Sequence, residues 1–146
     1  METELAHRVK ARWWIDSEMM ALVEPLIERL TAPLAHLALD AQWSRSLVIR
    51  QALAALAQRA IPETDVTAIQ RYMVRWPTRD LAFRTWAADD EELGTQQQLA
   101  ADLGLRTADV QALAVRYLAE SYGLAVPDWR TPPAEEEVTD GPPQQA

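Results

Sequence analysis

Residues 8–13 alternate cation and apolar side chain, Arg8-Val9-Lys10-Ala11-Arg12-Trp13, in a chain whose other apolar residues mostly recur at helical spacing. A period of two places Arg8, Lys10 and Arg12 on one face and Val9, Ala11 and Trp13 on the other, the pattern of a half-buried strand. A single strand leaves backbone N–H and C=O groups unpaired along both edges, so it must find a partner. The simplest partner is a second copy across a two-fold axis, which implies a homodimer. Its two-stranded antiparallel ribbon displays six cations on one face, an element that fits the major groove of double-stranded DNA.

The rest reads as helix. Asp16 or Ser17 caps a segment with Met19, Met20, Val23, Leu26, Ile27 and Leu30 on one side. Pro25 is expected to kink or break it, with a second short helix capped by Thr31 and lined by Leu34, Leu37, Ala38 and Ala41. Pro62 ends the next helical stretch, and Thr64 caps a helix running to Arg75 with Val66, Ile69, Tyr72 and Met73 inward. Beyond it, Arg71, Arg75, Arg79 and Arg84 recur among Tyr72, Trp76, Phe83 and Trp86: either a grip on nucleic acid through phosphates and stacking, or one solvated helix face. No repeat of solenoid period is visible. The expected fold is mainly α, a short N-terminal strand followed by a small helical bundle. Its units are 1–60 and 64–126, with an acidic, Pro-rich tail over 127–146 that reads as disordered.

What is scarce excludes much chemistry. There is no cysteine, and His7 and His36 are the only histidines, so neither thiolate chemistry nor a histidine-rich metal site has material. The four glycines, Gly94, Gly104, Gly123 and Gly141, are never closer than ten apart, which leaves no Gly-rich phosphate cradle. Asp89, Asp90, Glu91 and Glu92 are consecutive and lack the glycine-turned loop that would converge them on a cation; they read as a solvated loop. No metal, no cofactor and no catalysis are expected. No apolar run approaches the roughly 18 residues of a membrane span. The acidic start, Met1-Glu2-Thr3-Glu4, is unlike a secretory signal, so the expected location is the cytoplasm. The net charge is −8, with residues 1–60 balanced and the excess acid in 61–146. That distribution argues against indiscriminate polyanion binding and lets the C-terminal region recruit a protein partner.

The stretch Trp43-Ser44-Arg45-Ser46-Leu47-Val48-Ile49-Arg50-Gln51-Ala52-Leu53 resembles the second helix of the ribbon-helix-helix family of bacterial DNA-binding proteins. The resemblance covers about residues 8–60. It implies that Arg8, Lys10 and Arg12 read bases while Ser44, Arg45 and Ser46 anchor the DNA backbone, Ser46 capping a helix whose free N–H groups hold a phosphate. The chain departs from the family's pattern by about a dozen extra residues between strand and Ser-Arg-Ser. A register with Leu26–Leu30 as the strand is the alternative, and a plain helical bundle with a capped helix accounts for the same residues.

Further on, Gln96-Gln97-Gln98-Leu99-Ala100-Ala101-Asp102-Leu103-Gly104-Leu105-Arg106-Thr107-Ala108-Asp109-Val110-Gln111-Ala112-Leu113 looks like a helix-turn-helix, with Thr95 as cap, Ala100 allowing a close crossing and Gly104 supplying the turn. Arg106, Thr107, Ala108, Gln111 and Ala112 would then face a groove, with Gln96 and Gln97 near phosphate. The same unit could equally serve packing or a protein partner. Together these patterns point to a DNA-binding regulator, transcriptional or of plasmid or phage kind. The alternative is a protein–protein adaptor or inhibitor acting on a larger complex such as polymerase, anchored by Trp13, Trp14, Trp43, Trp76, Trp86 and Trp129.

Overall fold

The partner of the N-terminal strand lies in the same chain. In the computed structural model, which describes residues 9–15, 17–34, 41–74 and 82–131, strand β1 (Val9–Ile15) pairs antiparallel with β2 (Ala82–Ala88). The register sets Lys10 opposite Ala87, Arg12 opposite Thr85 and Trp14 opposite Phe83. The edge argument for a second copy is thereby met within one molecule, and the six-cation ribbon of two β1 strands is replaced by one ribbon of two different strands.

Helix α1 (Ser17–Thr31) follows β1, then a 3-10 turn (Ala32–Leu34), α2 (Ala41–Ala57) and α3 (Glu63–Val74). After β2 come α4 (Asp90–Leu103) and α5 (Thr107–Ser121), so the described residues are mainly helical. Several local expectations change; Thr64 and Thr95, expected as caps, lie inside α3 and α4. Pro25 lies inside α1 and the helix runs through it, so the expected break is absent. Thr31 is the last residue of α1, its hydroxyl donating to the Ile27 carbonyl at 2.6 Å, while Leu37 and Ala38 of the expected second helix lie outside the described residues. Asp89 to Glu92 open α4 rather than forming a loop. The Asp89 carboxylate accepts from the Glu92 N–H at 2.8 Å, and the Glu92 carboxylate accepts from the Asp89 N–H at 3.0 Å. That reciprocal cap satisfies two backbone donors and sets acids at the positive end of the helix.

The architecture contains an approximate internal repeat that residue identity hides. β2 begins 73 positions after β1 (9 to 82), and α4 begins 73 positions after α1 (17 to 90). The spacing makes Arg12 and Thr85 equivalent, and the register sets these two directly opposite each other, so a local two-fold passes through that pair. Trp13 and Trp86 are related by it, and both are fully buried on the inner face. The last helix of each unit, α2 and α5, forms the most extensively packed helix pair. The molecule is two β-α-α units joined through α3, and Trp13, Ile15, Val23, Ile49, Leu56, Ile69, Val110 and Leu113 from both sides of the 60–64 boundary belong to one core.

Helix α5 is the centre of that core. All residues from Asp109 to Ala119 are buried, so it is enclosed all round instead of on one stripe. After α5 the chain turns at Gly123, whose φ of 75° is left-handed, and continues as a strap to Thr131. Trp129 is 2% exposed, so the fold extends past the expected tail boundary at 127, while the expected disorder of 132–146 lies outside the described residues.

Candidate nucleic-acid interface

The ribbon has an inner and an outer face. Trp13, Ile15, Trp86 and Ala88 point into the core; Lys10 and Arg12 are exposed, and Trp14, Thr85 and Ala87 are half-buried, on the other side. Arg8 lies outside the described residues. The six outward register positions, Lys10, Arg12, Trp14, Phe83, Thr85 and Ala87, include two cations and no acid, in a chain of net charge −8.

Both edges of the ribbon are closed by helix side chains. On the β1 edge the Gln111 amide acts as a neighbouring strand would. Its Oε1 accepts from the Trp14 N–H at 3.1 Å, and its Nε2 donates to the Arg12 carbonyl at 2.9 Å and to Gln96 Oε1 at 2.9 Å. On the β2 edge the Ser46 hydroxyl accepts from the Ala87 N–H at 2.8 Å, and Arg50 Nη2 donates to the Ala87 carbonyl at 3.2 Å. Trp14 and Ala87 are equivalent under the repeat, so each edge is held at the same place. Arg50 is also ion-paired to Glu92 at 2.9 Å.

These contacts reassign several residues that the sequence placed against DNA. Gln111 and Ala112 are fully buried and cannot face a groove, because α5 is enclosed by the rest of the fold. Gln96 is buried and bonded to Gln111, away from any phosphate, while Gln97 is exposed. Ser46 is fully buried and sits inside α2, which begins at Ala41, so it neither caps the helix nor offers free N–H groups to a phosphate. Ser44 is 9% exposed and Arg45 half-buried on the same helix.

The turn between α4 and α5 has the expected backbone. Gly104 is left-handed at φ 68°, its N–H bonds to the Ala100 carbonyl, and the Leu105 N–H reaches the same oxygen at 3.0 Å. Arg106 and Thr107 are exposed at the start of α5. The Arg106 guanidinium, however, is bonded through Nε and Nη2 to Asp109 at 3.1 and 2.8 Å, which raises its pKa and pairs it with a carboxylate of its own helix. Lys10 and Arg12 are thus the expected contact residues that the described structure brings together on one exposed face; Arg106 and Thr107 sit apart at a helix start.

β2 was missed by the sequence reading. Its signal is Trp86, four residues before a helix start at Asp90, as Trp13 stands four before Ser17. The adaptor reading loses three anchors, since Trp13, Trp86 and Trp129 are each no more than 2% exposed.

Two polar networks brace the frame. Arg116, 2% exposed, bonds the Ala112 carbonyl, reaches Glu18 at 3.3 Å and lies 5.0 Å from the Tyr72 ring. The Tyr72 hydroxyl donates to Glu18, and burial together with that carboxylate pushes its pKa up to about 12. At the strap, Arg130 pairs with Asp65 at 3.0 Å and Glu120 at 2.7 Å and stacks 4.2 Å from the Trp129 ring. The Tyr117 hydroxyl donates to Asp65 at 2.5 Å. Burial alone would raise the Asp65 carboxyl, but the bonds from Arg130 and Tyr117 and the charges of Arg130 and Arg59 hold it below its ordinary value.

A cleft of about 260 Å³ lies between α2 and the start of α4, lined by Arg50, Leu53, Ala54, Asp89, Glu91, Glu92 and Thr95. Among the described residues no group of three or more His, Asp or Glu gathers as metal ligands, and no helix is long and apolar enough to cross a membrane. Compared with protein-family models, with curated proteins and with solved structures, the chain matches none.

Proposed function

We propose that the protein is a regulatory protein that binds double-stranded DNA through the outer face of its ribbon, without catalysis. The observation that carries the reading is the pair of exposed cations, Lys10 and Arg12, on an antiparallel ribbon whose outward positions include no acid. Two strands about 4.8 Å apart with their side chains match the roughly 12 Å width of the major groove. The β-α-α order of residues 9–57, recurring at 82–121, supports the likeness to ribbon-helix-helix proteins drawn from Ser44-Arg45-Ser46 and its neighbours.

The test is fluorescence anisotropy of a labelled duplex with the full chain at 50 and 200 mM salt. If Lys10 and Arg12 each neutralise a phosphate, affinity falls ~10-fold between the two conditions. Lys10→Ala with Arg12→Ala lowers the salt slope by about two while leaving the helical circular dichroism intact. Absence of binding at 50 mM salt, or binding untouched by the double substitution, overturns the reading. A second reading, a protein partner presenting basic side chains, is favoured by the cleft lined by Leu53, Ala54, Asp89, Glu91 and Glu92. It predicts no duplex binding at either salt concentration.

A further inference from the structure

The two strands of the ribbon occupy equivalent places in the fold and differ in chemistry. The 73-residue offset places Lys10 where Phe83 stands, Arg12 where Thr85 stands and Trp14 where Ala87 stands. Both outward cations therefore belong to β1, and the outward positions of β2 carry no charge. Nor can the ribbon be widened or doubled by a second copy through ordinary strand pairing at Trp14 and Ala87. Gln111 already occupies the Arg12 carbonyl and the Trp14 N–H on one edge, and Ser46 and Arg50 occupy the Ala87 backbone on the other.

A ribbon of two identical strands presents the same side chains to both halves of its site, so its operator mirrors the protein's two-fold. Here that requirement is gone. We infer that one chain of this protein reads one asymmetric duplex site: β1 contacts guanine at the Lys10 end and at the centre, β2 offers methyl groups there, and the Trp14–Phe83 end carries no cation to read guanine. The inference rests on the duplex-binding reading above and adds to it the class of site. The chemistry follows from the groove code: Lys and Arg donate to guanine O6 and N7, whereas Thr and Ala offer methyl groups that pack on the thymine methyl. Arg12 and Thr85 lie opposite each other on the local two-fold, so the change from the cationic end, Lys10 beside Ala87, to the uncharged end, Trp14 beside Phe83, falls at the centre of the site.

The experiment is selection of duplexes from a randomised pool by the full chain, followed by the mass of the complex formed with the selected duplex. The expected motif is non-palindromic, with one chain per duplex. Thr85→Arg, which places a guanidinium opposite Arg12, makes the centre of the motif more symmetric by recruiting a second guanine there. Arg12→Ala costs about tenfold or more in preference for guanine at the centre and leaves the preference at the Lys10 end intact. A palindromic motif, or two chains per site, overturns the inference while leaving duplex binding intact. So does salt-sensitive binding that enriches no sequence. No retention of any duplex overturns both the inference and the reading beneath it.

Discussion

Gln111 is itself fully buried and joins three polar partners, and its loss is felt at each. Gln111→Ala strips the buried Gln96 amide and the part-buried Trp14 N–H and Arg12 carbonyl of a partner. An orphaned buried group costs about 1–3 kcal/mol, so the variant is expected to lose on the order of 3 kcal/mol. Urea denaturation followed by tryptophan fluorescence checks this; a loss below about 0.5 kcal/mol would show that the amide does not hold the edge. The same residue shows where sequence reading stops. A glutamine near the start of a helix after a glycine turn is a fair candidate for a groove contact, and Ser46 in Ser-Arg-Ser is a fair candidate for a cap. Both are polar because a strand edge lies beside them, and nothing local in the sequence announces that edge. Lys10 and Arg12 were legible because alternation is a property of the strand itself, whichever strand pairs with it.

Among the elements, β1 was readable and β2 was not, for a physical reason. β1 alternates charged and apolar residues, whereas Ala82-Phe83-Arg84-Thr85-Trp86-Ala87-Ala88 mixes small apolar residues on both faces and so has no clean period. The turn at Gly104 was readable because only a left-handed backbone closes α4 there, yet the helix after it proved to be the core of the fold. The strap from Gly123 to Thr131 overlaps the expected tail, because nothing local to Trp129 announces the Tyr117 ring it packs beside. Its anchor has a pH signature. The Asp65 carboxyl is held below its ordinary value of 3.8, so the stability it contributes is fully present above about pH 4 and is lost as pH falls through the lowered value. Thermal unfolding of the native chain and of Asp65→Asn should differ at pH 7 and converge as pH falls below 3.8. A difference that persists undiminished at pH 2 would show that the ionised carboxylate is not what holds Arg130.

At the scale of the molecule, one chain carries the elements that two copies were expected to supply. Two β-α-α units share a ribbon and a core, but the clamps do not keep the strands' spacing, 73 between the strands against 61 between Arg50 and Gln111, because the first unit has a longer connection between its helices and more helix before its clamp. That difference in length and the divergence of the two units hid the repeat from the sequence. The mainly helical class and the leading strand were legible; the pairing that organises them was not. The most direct test of the account is an amide-resolved NMR titration of the full chain with a duplex. It predicts shifts concentrated at Lys10, Arg12 and Thr85 on the outer face of the ribbon, with the Gln111 side-chain amide and the buried run of α5 unmoved. Shifts centred instead on the acidic start of α4 from Asp89 to Thr95, or no shifts at all, would contradict it.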